Sequence, residues 1–172
     1  MIEIKEKKCR GYSIWLMPKG TVYNSLLEII SEISQEYKVP NFQPHVTLIG
    51  ELKGNEELIT RTKLLASQIH PFTITLKNPC VLNEYFRSLF LKVEETEEVI
   101  NANLKAQEIF NRKEKYFPHL SLMYGSCSTM KKLNIISNLK KINLEFQVNS
   151  LHLSSTKGHQ EDWHEIKKFP LS

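Results

Sequence analysis

His45 and Thr47 stand two residues apart in "PHVTLIG" (Pro44 to Gly50), and His119 and Ser121 repeat the spacing in "PHLSLMYG" (Pro118 to Gly125). In an extended strand alternate side chains share a face, so each phrase presents an imidazole and a hydroxyl on one side. Val46, Leu48, Leu120 and Leu122 then point to the other side, toward a core. At a rise of about 3.3 Å per residue, imidazole and hydroxyl start roughly 6 to 7 Å apart and can both touch one small anionic group. Two such half-sites converging on one point would supply a base, an acid and two donors. In-line displacement at a tetrahedral phosphate needs that set: a base on the attacking oxygen, an acid on the leaving oxygen and donors for the remaining oxygens. Histidine, with an ordinary pKa near 6.5, can be neutral in one copy and protonated in the other. The scheme calls for no metal or other cofactor, and a strained cyclic phosphodiester is the substrate it suits.

The elements that must position these residues follow from periodicity. "YSIWLM", Tyr12 to Met17, reads as a buried strand. Val22, Leu26, Ile29, Ile30, Ile33 and Tyr37 recur at helical spacing, predicting a helix from Val22 to about Lys38 that Thr21 caps and Pro40 stops. Asn55 caps a second helix running to about Gln68. Phe72, Ile74 and Leu76 mark a strand ended by Asn78-Pro79, and Phe86 to Val93 another. A helix from Glu97 to Asn111 precedes the second phrase, and Met130, Leu133, Ile136 and Leu139 mark one after it. Leu144, Phe146 and Val148 begin a strand expected to run on through Leu153, and Trp163 to Lys168 is a candidate last strand.

The elements repeat. Ser13 to Leu16 matches Ser88 to Leu91 at an offset of 75, while His45 matches His119 and Phe72 matches Phe146 at 74. The expected fold is α+β: one domain over residues 1–172, with two pseudo-symmetric α/β lobes, built around residues 12–78 and 86–154, whose antiparallel sheets face a central cleft.

The net charge of +4 is small and its lysines are dispersed among glutamates, which permits an anionic ligand without calling for a surface that coats nucleic acid. The start of the chain lacks the apolar core of a signal peptide, and no stretch approaches the length of a membrane span. A cytoplasmic monomer without a membrane partner is expected. Cys9, Cys80 and Cys127 lack zinc or redox spacing and read as reduced thiols.

The twin His-x-Thr/Ser motifs, each preceded by proline and followed by leucine, resemble those of the 2H phosphoesterase superfamily. With "YSIW" and "YFRSLF" they are most similar to the cyclic phosphodiesterases of plants and yeast. The resemblance implies opening of ADP-ribose 1'',2''-cyclic phosphate or nucleoside 2',3'-cyclic phosphates, with His45 and His119 as acid and base and Thr47 and Ser121 on the phosphate. It also implies substrate contact by Trp15, Phe86 and Tyr124. Tyr124 has the wrong strand parity for the cleft unless the strand ends or twists there. Arg87 departs from the pattern inside the aromatic run, and substrate preference is what it bears on.

Two other functions fit the same residues. One is an RNA-end-processing enzyme or a 2'-5' RNA phosphodiesterase or ligase of the same superfamily. The other is a non-catalytic nucleotide- or RNA-binding module. His152, alternating with Leu151 and Leu153, is a minor candidate for a ligand contact, and Lys53, Arg87 and Lys157 for neutralising phosphate.

Overall fold

The computed structural model describes residues 9–139 and 144–172. Eight strands form a single antiparallel sheet: β1 (Tyr12–Leu16), β2 (Val46–Leu52), β3 (Phe72–Val81), β4 (Leu89–Val93), β5 (His119–Met123), β6 (Glu145–Val148), β7 (Ser150–Ser155) and β8 (His164–Pro170). Their order is β6-β3-β4-β5-β2-β1-β7-β8. Four helices accompany them: α1 (Gly20–Tyr37), α2 (Glu57–Ser67), α3 (Glu97–Ile109) and α4 (Thr129–Asn138). The α+β class follows directly.

Outward from its middle, the sheet is a palindrome of equivalents: β5 and β2, then β4 and β1. The next positions are exchanged between the sequence halves. β3, from the first half, lies beside β4, with Ile74 opposite Phe146 of β6, while β7, from the second, lies beside β1 with His152 opposite Trp15. The stretches 12–78 and 86–154 therefore each contribute to both halves of the sheet. Helices cross over too, α1 packing on β5 and α3 on β2.

The strand expected to run from Leu144 through Leu153 is two strands. β6 is one edge of the sheet and β7 is next to the other edge, with only Asn149 between them. One residue spans at most about 3.6 Å, so the sheet must curl until its ends nearly meet. The hydrophobic pattern hides this because both strands bury alternate residues, Phe146 and Val148 on one side of the break and Leu151 and Leu153 on the other.

Three other expectations shift. β3 continues past Asn78-Pro79 to Val81, absorbing the proline through a register irregularity between Leu76 and Pro79. Thr21 does not cap α1, which begins after an extended Lys19 with no side-chain cap; the helix ends at Lys38, held in the left-handed region at φ 56°. The predicted strand from Phe86 becomes a turn of 3-10 helix at Tyr85–Arg87 followed by β4. α3 is capped by Thr96, whose Oγ1 accepts from Val99 N at 3.4 Å, while Asn55 stands one residue ahead of the cap position of α2, Glu56, which offers no side-chain cap, and accepts from Glu57 N at 3.1 Å.

At the centre, β2 and β5 share a single register pair, Val46 opposite Leu120, and then part. Side chains take over the backbone acceptors that β5 leaves behind. Tyr116 donates its hydroxyl to Thr47 O at 3.1 Å, Asn103 Nδ2 to Leu48 O at 2.8 Å, and Arg112 Nη1 to Gly50 O at 3.3 Å and Glu51 O at 3.2 Å. Buried carbonyls need partners, and this wedge provides them without closing the sheet. Among the described residues no helix is long and apolar enough to cross a membrane.

Candidate active site

Val46 and Leu120, fully buried, face the core, and their neighbours face the opposite way into a cleft. His45, Thr47 and His119 line one cavity of about 240 Å³ there. Ser121 lies behind its wall, with its hydroxyl donating to Phe86 O at 2.9 Å and linked to the Tyr124 hydroxyl. Of the four motif residues the structure thus brings three to the open cavity and holds the fourth in a hydrogen-bonded layer beneath.

The two histidines are held in the same way. His45 Nδ1 donates to Gln43 O at 2.6 Å and His119 Nδ1 to Phe117 O at 2.8 Å. In both, the acceptor is the carbonyl two residues earlier, across the proline. A carbonyl can only accept, so Nδ1 carries a hydrogen in either protonation state and Nε2 is the nitrogen that titrates. The residue before each proline thus sets the tautomer through its carbonyl.

His45 is 6% exposed and sandwiched by aromatic rings, stacked on Trp15 at 4.0 Å between centroids and edge-on to Phe42 at 6.4 Å. Loss of solvent pushes its pKa down to about 4, the Gln43 carbonyl opposing and the nearby His119 adding to the fall. His119 is half-buried with Phe90 edge-on at 5.5 Å. Its pKa is lowered first by burial and then by Arg87, while the Phe117 carbonyl and Glu84 raise it. Trp15 and Phe90, partners in the repeat, thus each pack on the histidine of their own half.

Trp15, Phe86 and Tyr124 all line the cavity. β5 ends at Met123, which frees Tyr124 from strand parity; its ring stacks on Phe42 at 3.9 Å and its hydroxyl pKa is raised by burial. Phe86 arrives through the 3-10 turn, which an extended strand could not have provided.

Trp163, which strand periodicity alone placed at the start of the last strand, also lines the cavity. It lies 6.1 Å from Phe86 and 6.2 Å from Trp15 between centroids. Its indole Nε1 is buried with no partner among the described residues. One signal was available: a tryptophan amid "QEDWHE" has no apolar neighbours to pack with in a core. Arg87 lines the cavity as well, with Nε and Nη2 on Glu84 Oε2 at 2.7 and 2.6 Å and its guanidinium 5.3 Å from the Phe117 ring. His152 lies outside: its Nδ1 meets Glu165 and its Nε2 sits 3.2 Å from Ser150 Oγ. Lys53 and Lys157 are not in the lining either; Lys157 Nζ donates to the Tyr12 hydroxyl at 2.9 Å. Among the described residues no group of histidine, cysteine and acidic side chains is arranged to hold a metal.

Two imidazoles whose charged forms are disfavoured thus stand beside Thr47 in one cavity lined by aromatic rings. The family model for cyclic phosphodiesterase-like protein matches residues 10–171. The chain belongs to that family. It is therefore a phosphodiester hydrolase of the 2H phosphoesterase superfamily. A cyclic phosphodiesterase of Arabidopsis thaliana is 25% identical over 161 residues, covering 89% of each chain. The fold is shared with E. coli LigT in its apo form, at a TM-score of 0.66 and 13% identity over 96% of this chain and 99% of that one. LigT complexed with 3'-AMP superposes with a TM-score of 0.65 and 13% identity, covering 95% and 98%. TT0787 of Thermus thermophilus follows at 0.62, 18% identical over 93% and 97%.

Proposed function

We propose that the cleft hydrolyses a nucleoside 2',3'-cyclic phosphate or ADP-ribose 1'',2''-cyclic phosphate to a phosphomonoester, without a metal, by acid and base catalysis from His45 and His119. The observation that carries this reading is the matched pair of Nδ1 bonds to Gln43 and Phe117, which leaves two Nε2 atoms to serve one cavity. The family membership and the 3'-AMP carried by LigT support a nucleotide as ligand.

In this reading the chain is one catalytic unit to which each half of the sequence supplies a histidine. His45 is the base. It is the more buried of the two and its pKa is the one pushed down to about 4, so it is neutral over the working range. His119, half-buried and with Glu84 favouring its charged form, is the acid. Water attacks phosphorus opposite the leaving ring oxygen and gives its proton to His45 Nε2. The P–O bond of the ring breaks as His119 Nε2 protonates the leaving oxygen. Thr47 donates to a nonbridging oxygen, and Ser121 does so once it releases the Phe86 carbonyl. Trp15, Phe86, Trp163 and Tyr124 hold the base or sugar.

The test separates the roles by leaving group. An aryl phosphodiester departs without a proton, so His119→Ala should recover activity on it relative to the cyclic phosphate, and His45→Ala should not. Equal recovery by both variants would reject the assignment, and full activity of either on the cyclic phosphate would reject the mechanism.

A further inference from the structure

The cleft continues beyond the histidines. Thr47, Gly50, Arg87 and His119 line both the aromatic cavity and a second one of about 200 Å³, lying in the wedge between β2 and the stretch before β5. Glu114, Lys115, Tyr116 and Phe117 form the far wall, with Asn103 and Gln107 of α3 behind them.

Apart from Thr47 and His119, which it shares with the aromatic cavity, the neutral polar side chains of this second cavity are already engaged. Asn103 Nδ2 holds Leu48 O; Gln107 Nε2 donates to Asn103 Oδ1 at 2.6 Å and to Glu114 O at 3.0 Å, and its Oε1 accepts from Glu114 N at 2.7 Å. Tyr116 is committed to Thr47 O. The one carboxylate in the lining, Glu114, is paired with Arg112. Two cations remain. Arg87 is anchored through Nε and Nη2 to Glu84 and rests on the Phe117 ring, while its Nη1 has no hydrogen-bond partner among the described residues. Lys115 is exposed and likewise makes no hydrogen bond or ion pair there. A preorganised guanidinium with one nitrogen left over, a lysine lining the same cavity and a wall whose amides are engaged elsewhere are the makings of an anion site.

We infer that this cavity is a second phosphate subsite, in which Arg87 and Lys115 bind a phosphoryl group on the 5' side of the nucleotide whose cyclic phosphate is opened. This rests on the hydrolase reading above. A nucleotide ribose has three attachments: the base, the cyclic phosphate and C5'. With the base among the aromatic rings and the cyclic phosphate at the histidines, the third can pass into the adjoining cavity, which Arg87 lines together with the first. A terminal 5'-phosphate, a pyrophosphate and an internucleotide phosphodiester share the chemistry required. Arg87 thereby becomes a specificity residue that favours substrates larger than a bare nucleoside cyclic phosphate.

The test compares kcat/KM for adenosine 2',3'-cyclic phosphate with that for the same compound carrying a 5'-phosphate, a 5'-pyrophosphoryl group or a 5'-linked nucleotide, in wild type, Arg87→Ala, Arg87→Lys and Lys115→Ala. Wild type should prefer the 5'-phosphorylated compounds about tenfold or more. Arg87→Ala should bring the preference close to unity, with Arg87→Lys and Lys115→Ala intermediate. The preferred arm identifies the natural 5' group. A preference unchanged within twofold in both alanine variants overturns the subsite. Calorimetric binding of adenosine 2',5'-bisphosphate against adenosine 2'-monophosphate reads the same preference without turnover. If no cyclic phosphate is hydrolysed but Arg87-dependent binding persists, the hydrolase reading fails and the subsite stands; if hydrolysis proceeds with no binding preference, the subsite alone fails.

Discussion

Val46 of β2 and Leu120 of β5 form the single register pair that joins the two central strands, and each directly follows a histidine. Antiparallel register about that pair brings His45 toward Ser121 and Thr47 toward His119. The two motifs are thus interleaved across the junction, the imidazole of one standing toward the hydroxyl of the other.

Removing either imidazole should be severe. His45→Ala and His119→Ala are each expected to lower kcat by about 10²- to 10⁴-fold on a cyclic phosphate while the protein still unfolds cooperatively, at a lower melting temperature for His45→Ala because its buried, stacked site is emptied, and the double variant should lose little more activity than the worse single. Steady-state rates beside melting curves check this. Turnover should survive excess EDTA, because both proton transfers in the proposed scheme are assigned to side chains.

The pH dependence follows from the depressed imidazoles. His45 must be neutral, so kcat/KM should fall on the acid side only as pH drops toward about 4. His119 must be protonated, and with its pKa below the ordinary 6.5 the alkaline limb begins below that value. The profile should be a bell lying between about 4 and 6.5. In kcat the limbs should move to higher pH, since a bound phosphate anion favours both imidazoliums. An alkaline limb above 7.5 in kcat/KM would contradict this ordering.

Stability should respond to acid through His45. Its folded pKa is lowered, so the unfolded chain binds the extra proton and stability is lost as pH falls from about 6.5 to about 4, by about 3 kcal/mol at most. His45→Gln should flatten the melting temperature across that window, less completely than removing His119 and His152 as well, whose pKa values are also lowered.

Ser121 and Thr47 should differ. Thr47 lines the open cavity, so Thr47→Ala is expected to lower kcat/KM by about 10²-fold. Ser121 also holds the Phe86 carbonyl, so Ser121→Ala should raise KM more than Thr47→Ala does, by loosening the aromatic floor. A matched kcat and KM pattern in the two variants would remove that distinction.

The close approach of β1 to the end of β2 depends on Gly11. At φ 115° it faces Leu52, and a Cβ there would stand 2.5 Å from Leu52 O. Gly11→Ala should cost about 1 to 3 kcal/mol, seen as a lower denaturation midpoint.

Local pattern made several parts legible. The cores of β1, β2 and β5, the helical faces of α1 and α3 and the two motifs depend on alternation, helical spacing and capping, which neighbouring residues settle. The 3-10 turn at Tyr85–Arg87 was not legible, because Phe86 to Val93 carries a strand's composition and only the fit against Ser121 and Tyr124 bends it. The break at Asn149 was hidden for a similar reason: Val148 and Leu151 each suit a buried strand, and nothing local says that they belong to opposite ends of the sheet. Trp163 needed a curled sheet before it could stand beside Trp15 and Phe86.

By itself the sequence determined the make-up of each half-site, since strand alternation sets histidine and the next-but-one hydroxyl on one face within one stretch of strand. The tertiary structure decided how the halves combine. Exchange of β3 and β7 between the halves, parting of β2 from β5 after one pair, and the arrival of Arg87 and Trp163 at the cleft all depend on contacts between residues distant in the chain. Those are chosen by the packing free energy of the whole sheet, which no local spacing encodes.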